Sequence, residues 1–268
     1  MKTRVLTAVV GVPLLIAALI VRGWFAELLL VILTLIAMDE CYKALRAAHY
    51  QVCTWGGFAG ALAMWPLSRM MGVLDPLLLL VSAMGISMLG VLLGKTPTFP
   101  DAAASVYPLF TCLLPFSMFM MMLNMTYGVV PGVALITMAF GIAFGCDIMA
   151  YLGGRTFGRH KLCPTVSPKK TVEGAISGLL GSILFALAVR AVFVHVLATP
   201  MPGIPATLLL GLIGSVAGQV GDLTASLLKR HSGIKDYGKL FPGHGGVMDR
   251  FDSVIFTLIV MYCYTLVL

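Results

Sequence analysis

Long apolar runs alternate with short polar breaks along this chain, and the runs recur at about the length of a membrane-crossing helix. Hydropathy predicts about nine of them, near Val5–Val21, Trp24–Met38, Trp55–Val73, Pro76–Leu93, Val106–Met125, Val130–Leu152, Val172–Leu197, Ile204–Leu228 and Phe251–Leu268. Arg69 interrupts the third run, while Pro115 and Gly211 sit inside runs, where membrane helices tolerate them. Lys2 and Arg4 ahead of Val5–Val21 give the outline of a signal peptide. The run is nevertheless long for an h-region and Arg22-Gly23-Trp24 is a poor cleavage site, so it reads as the first membrane helix. The expected fold is all-α, a polytopic integral membrane protein.

Composition agrees with that pattern. Hydrophobic residues make up 59% and charged residues only 11% of the 268 positions, against roughly 25% charged in soluble domains. The spans nearly use up the length, leaving no room for a separate soluble domain. The net charge of +7 does not form one basic stripe or arm, which argues against nucleic acid. Cys41, Cys53, Cys112, Cys146, Cys163 and Cys263 lie scattered in apolar segments without CxxC spacing and read as small core residues.

The basic residues instead orient the chain. One set of span ends carries 15 of the 18 Lys and Arg, and the other only Arg22, Arg69 and Arg190. The positive-inside rule then puts the N-terminus in the cytoplasm and, with nine spans, the C-terminus outside. Two cytoplasmic loops, 153–171 and 229–250, hold ten of those 15 residues. Residues 1–129 therefore read as transmembrane scaffold and 130–268 as the catalytic region.

Asp222 falls inside the eighth run, where a charge is costly enough to suggest function. On a helix, Asp222, Ser226, Lys229 and Arg230 share one face. Asp222, Asp236, Asp249 and Asp252 lie within 31 residues of this charge-poor chain, among Lys229, Arg230, Lys235 and Arg250. Asp249 and Asp252 are placed at the start of the last helix, where its dipole favours carboxylates. Carboxylates with backbone and water oxygens suit Mg²⁺. Gly243, Gly245 and Gly246 allow close backbone approach, with N–H groups to cradle phosphate, and the cations neutralise the rest of a triphosphate.

The earlier loop adds a second cluster. Asp147, Tyr151 and Gly154 share a helix face, followed by Ser167-Pro168-Lys169-Lys170-Thr171-Val172-Glu173-Gly174, a polar turn into the next helix that Ser167 or Thr171 would cap. Soluble nucleotide motifs are absent: Gly153 to Gly158 has Walker A spacing, but Arg159-His160 replaces its Lys-Ser/Thr.

Taken together, Ser226, Lys229-Arg230, Lys235-Asp236, His244-Gly245-Gly246-Val247, Asp249-Arg250-Phe251 and Asp252 resemble, without a gap, the signature of the CDP-diacylglycerol synthases, the phosphatidate cytidylyltransferases. Gly221-Asp222 and the runs around Asp147 and Ser167–Gly174 are also similar to that family. The resemblance covers roughly Gly145 to Ser253; the N-terminal half matches only in being hydrophobic and multi-spanning, with Glu40 a candidate matching acidic residue.

The resemblance implies transfer of the cytidylyl group of CTP to phosphatidic acid in the inner (plasma) membrane, by an active site facing the cytoplasm. It implies Mg²⁺ with a monovalent cation such as K⁺ as a second ion, and a homodimer. Asp222 and Asp249 are the implied metal ligands, with Asp252 close by. Lys229, Arg230, Lys235, Asp236, His244 and Arg250 complete the implied catalytic set. Asp147, Tyr151, Ser167, Lys169, Lys170, Ser226, Gly243, Gly245 and Gly246 are the substrate-binding candidates. Two rivals remain at this level: a cytidylyltransferase for an isoprenoid ether-lipid phosphate, and a secondary transporter. Transporters tend to show related halves with broken helices at mid-bilayer, whereas the charges here cluster at one surface and in one half. The CDP-alcohol phosphotransferase pattern is missing.

Overall fold

A computed structural model describes residues 17–21, 23–70, 75–241, 243 and 245–268. The first expected span therefore lies largely outside the described residues. The elements run α1 (Gly23–Ala47), α2 (Trp55–Arg69), α3 (Pro76–Leu92), α4 (Phe99–Asn124), β1 (Thr126–Tyr127), β2 (Val130–Pro131), α5 (Gly132–Phe157), β3 (Lys161–Cys163), β4 (Ser167–Thr171), α6 (Val172–His195), α7 (Ile204–His231), α8 (Met248–Phe251) and α9 (Val254–Thr265). The protein is mostly helical. The strands form two small antiparallel pairs, β1 with β2 and β3 with β4, which a purely α-helical expectation does not contain.

Among the described helices, α4, α5, α6 and α7 are long and apolar enough to cross a membrane. The apolar α3 and α9 are shorter. Helix α2 has 15 residues and contains Pro66, which gives about 22 Å of helix against a hydrocarbon core of roughly 30 Å. Residues expected to open the last span are divided: Asp249 lies in the single turn of α8, Asp252 in the break after it, and α9 begins only at Val254. The shared first turn expected for the two carboxylates is therefore not formed.

Local chemistry sets the helix ends. Asp75 accepts from the N–H groups of Leu77 and Leu78, with Pro76 at the first turn of α3. Thr98 accepts from Asp101 N–H and donates to Asp101 Oδ2, a reciprocal cap for α4. Within α4, residues Leu109–Leu113 form one π turn, and Leu114 N–H reaches back to Leu109 O. The wider turn lies between Pro108 and Pro115, whose rings disrupt regular α spacing.

The chain divides into two compact units, the described residues of Met1–Met121 with Leu228–Phe251, and Met122–Leu227 with Asp252–Leu268. In the first, Met38, Tyr42, Met64, Leu113 and Phe116 are fully buried. In the second, α5 packs closely against α6 because glycines remove the side chains that would hold them apart. A Cβ at Gly178 would stand 3.0 Å from Cys146 Sγ and 3.2 Å from Cys146 O. Ile176, Leu180 and Leu184, four residues apart on α6, are exposed, as a lipid-facing stripe requires.

Candidate active site

In the second unit the site begins with a hairpin. Thr171 caps α6 by accepting from Gly174 N–H at 3.1 Å. Val172 N–H donates to His160 O at 2.9 Å. Glu173 in the first turn accepts from the N–H groups of Arg159 and His160 and meets His160 Nδ1 at 2.6 Å. These bonds tie both ends of the β3–β4 hairpin to α6. The hairpin carries Lys169 and Lys170.

Lys170 Nζ lies 2.6 Å from Asp222 Oδ2, and Ser226 Oγ donates to Asp222 Oδ1 at 3.3 Å. Ser226 is the i+4 neighbour expected from the sequence. Both members of the ion pair are about a quarter exposed, with side chains at 28% and 27%. They line a cavity of about 410 Å³ together with Asp147, Tyr151, Lys169 and Gln219. Gln219 donates to Ala175 O at 3.2 Å, which bonds α7 to α6 beside the carboxylate. Much of the remaining wall is apolar, including Cys146, Ala150 and Leu162. A charged end set in an apolar wall is the chemistry of an amphipathic ligand.

In the first unit a second carboxylate organises the loop after α7. Asp249 is buried, and its Oδ1 lies 2.9 Å from Lys229 Nζ. Its Oδ2 accepts from Tyr237 N–H at 2.7 Å and Gly246 N–H at 2.9 Å. The Lys229 ammonium also stands 5.4 Å from the centre of the Tyr237 ring. Burial pushes the Tyr237 phenol far above its ordinary range, so it stays neutral beside this pair. Gly245 has φ +86°, and a Cβ there would press on the Asp249 carboxylate. Only glycine suits that position, for conformation and for space.

The sequence-predicted residues thus fall into two groups. Asp147, Tyr151, Lys169, Lys170 and Asp222 line one cavity, with Ser226 bonded to Asp222. Lys229, Asp249 and Gly246 form the bonded core of the loop. Lys235, Asp236, Arg230 and Arg250 are exposed, as is Gly243, and none of them contributes a bond to the Asp249 carboxylate. Ser167 sits in β4 opposite Cys163, away from the cavity lining. Asp252 Oδ1 accepts from Ser253 N–H at 2.8 Å. His244 lies outside the described residues. Gly246 N–H, expected to meet phosphate, instead meets Asp249.

Two residues of these clusters escaped the sequence reading, and a third, Glu40, was named there only as a candidate acidic match with no role or partner. Tyr237 follows a predicted Lys-Asp pair and carries no motif of its own. Gln219, one turn before Asp222 in an apolar run, was a visible polar signal. Glu40 accepts from Val247 N–H at 3.1 Å and Met248 N–H at 2.9 Å, more than 200 residues away in sequence.

No group of three or more His, Cys, Asp or Glu among the described residues is arranged to hold an ion by itself. Mg²⁺ commonly takes one or two carboxylates and completes its shell with water and phosphate oxygens. Asp222 fits that role: it is part-exposed, has one cation and one hydroxyl as partners, and shares its cavity with the exposed Asp147. Asp249 fits it only by giving up a bond, since both of its oxygens already accept.

Fold and site together define a helical membrane protein that carries a lysine–carboxylate pair in each of its two units. The chain belongs to the cytidylyltransferase family, whose profile matches residues 2–268. It is 35% identical over 264 residues to a phosphatidate cytidylyltransferase of Staphylococcus haemolyticus, covering 96% of each chain. A phosphatidate cytidylyltransferase of Bacillus subtilis is 32% identical over 276 residues, covering 98% of this chain and 96% of its own. One from Staphylococcus aureus is 46% identical over 127 residues, 47% of each chain.

Proposed function

We propose that this protein transfers the cytidylyl group of CTP to phosphatidic acid, giving CDP-diacylglycerol and pyrophosphate. Full-length similarity to proteins named for that activity supports the reaction class. The observation that carries the substrate reading is the Lys170–Asp222 pair in a largely apolar cavity, which suits a phosphate carried on a lipid.

In the reaction, an oxygen of the lipid phosphate attacks the α-phosphorus of CTP. A new P–O bond forms, the α–β bridging P–O bond breaks, and pyrophosphate departs with the bond pair. Lys170 receives the lipid phosphate, helped by Lys169 at the cavity. Lys229, the half-buried cation in the last turn of α7, receives CTP phosphate oxygens, with Arg230, Lys235 and Arg250 supplying further charge. Each lysine is held by an aspartate until then, so binding exchanges one anionic partner of the ammonium for another. Asp222 and Asp249, with Asp252 nearby in sequence, would hold Mg²⁺, and K⁺ would serve as a second ion. The bound ion supplies charge neutralisation at the phosphates.

The same reading includes nine spans, a cytoplasmic N-terminus, an active site facing the cytoplasm of the inner membrane, and a homodimer. Purified protein given labelled CTP and phosphatidic acid should yield labelled lipid and pyrophosphate in equal amounts. Product only with an ether-lipid phosphate would replace the proposed acceptor, and no labelled lipid with any acceptor would end the proposal.

Topology has its own test. A cysteine placed between Arg159 and Lys170, in a background without native cysteines, should react only with reagent on the cytoplasmic side. A tag after Leu268 should be reached only from the opposite side. Labelling of the 159–170 loop from outside would overturn the orientation.

A further inference from the structure

The signature loop presents three successive main-chain N–H groups, those of Gly246, Val247 and Met248, and all three end on carboxylates. Gly246 N–H goes to Asp249, within the loop itself. Val247 and Met248 N–H go one to each oxygen of Glu40. Glu40 sits near the C-terminal end of α1, in the part of the chain read from sequence as scaffold. It is only 5% exposed, and among the described residues no Lys or Arg forms an ion pair with it.

A buried carboxylate with no cation is costly unless hydrogen bonds replace its water. Here two main-chain donors do so. The surroundings are shaped to admit it: a Cβ at either Gly238 or Gly246 would collide with the Glu40 carboxylate. Two glycines of the loop therefore make room for one side chain of α1. The position of Met248 fixes that of Asp249, the next residue, and Asp249 in turn holds Lys229.

We infer that Glu40 is a positioning residue for cytidylyl transfer: it grips the Val247 and Met248 amides and so sets where Asp249 and Lys229 stand. The inference rests on the reading of Asp249 as part of the catalytic machinery. Its physical basis is that small errors in placing charged groups at a phosphoryl centre cost rate out of proportion to their cost in stability.

Glu40→Gln and Glu40→Ala test it in the purified full-length protein, with Asp249→Asn as reference. Gln keeps the volume but offers one acceptor oxygen and turns an NH₂ donor towards the other N–H. Amide hydrogen exchange in a peptide spanning 245–251 should rise by about tenfold or more in Glu40→Gln, with α5 and α6 unchanged. Turnover per folded molecule should fall by about tenfold or more, while KM for phosphatidic acid stays within about twofold. Glu40→Ala should go further in both measures. A residue that only stabilises the fold would lower the melting temperature and leave kcat per folded molecule at the wild-type value. Where Glu40→Ala does not fold, the isosteric Gln variant decides. Unchanged loop exchange in Glu40→Gln would overturn the anchoring, and wild-type kcat with a loosened loop would overturn the positioning role. Wild-type kcat in Asp249→Asn would instead overturn the reading on which the inference rests.

Discussion

Treatment with EDTA should reduce cytidylyl transfer to background, and Mg²⁺ should restore it. The carboxylates at the cavity, Asp147 and Asp222, are hard oxygen donors, and phosphate oxygens would complete the ion's shell. Zn²⁺ should rescue poorly, because it prefers tetrahedral sites with nitrogen or sulfur ligands. The described Cys and His residues form no such group. The physical need is plain: the triphosphate and the lipid phosphate bring several negative charges together, and lysines alone must also satisfy their own aspartates. Full activity in chelated, metal-free buffer would remove the ion from the mechanism.

Asp222→Asn should lower kcat/KM by about 10² or more while the protein remains folded. Asn keeps the shape and one acceptor oxygen, so Ser226 and Lys170 retain a partner, but the charge is gone. The side chain is 27% exposed, so water softens any loss of stability. Asp249→Asn should lose as much activity and more stability. Its Oδ1 meets an ammonium and its Oδ2 meets two N–H groups, so a donor NH₂ must face a donor whichever way the amide turns. Breaking such a buried pair costs about 3–5 kcal/mol. The double variant should be little worse in turnover than either single one, since groups acting as a unit are not additive. Melting temperature, yield and turnover for all three decide the matter. A well-folded Asp222→Asn protein retaining a tenth of wild-type activity would make that carboxylate a packing contact.

The apolar runs, the separation of Asp222 from its surroundings and the Lys229-to-Asp252 cluster were all legible along the chain, because hydropathy and charge are properties of segments. Ser226 as the neighbour of Asp222 was legible too, since an i, i+4 pair follows from helix geometry. The cap on α6 was narrowed to Ser167 or Thr171, and Thr171 fills it because it stands three residues before a free Gly174 N–H.

Only the tertiary structure decided which ammonium meets which carboxylate. Lys170 and Asp222 are 52 positions apart, and nothing local selects that partner from the neighbouring Lys169. The hairpin that carries Lys170 looked like a polar turn, because its strands are short and are tied to the adjoining helix by Glu173 of that helix and by the Thr171 cap at the end of β4. The last apolar run looked continuous, yet the turn at Met248–Phe251 stands apart from α9, drawn by Glu40 and Asp249 bonds that hydropathy does not register. Glu40 shows the reason most clearly. Sequence reports what a segment prefers to be surrounded by, whereas a buried carboxylate is satisfied by whichever N–H groups the fold brings to it, here from more than 200 residues away.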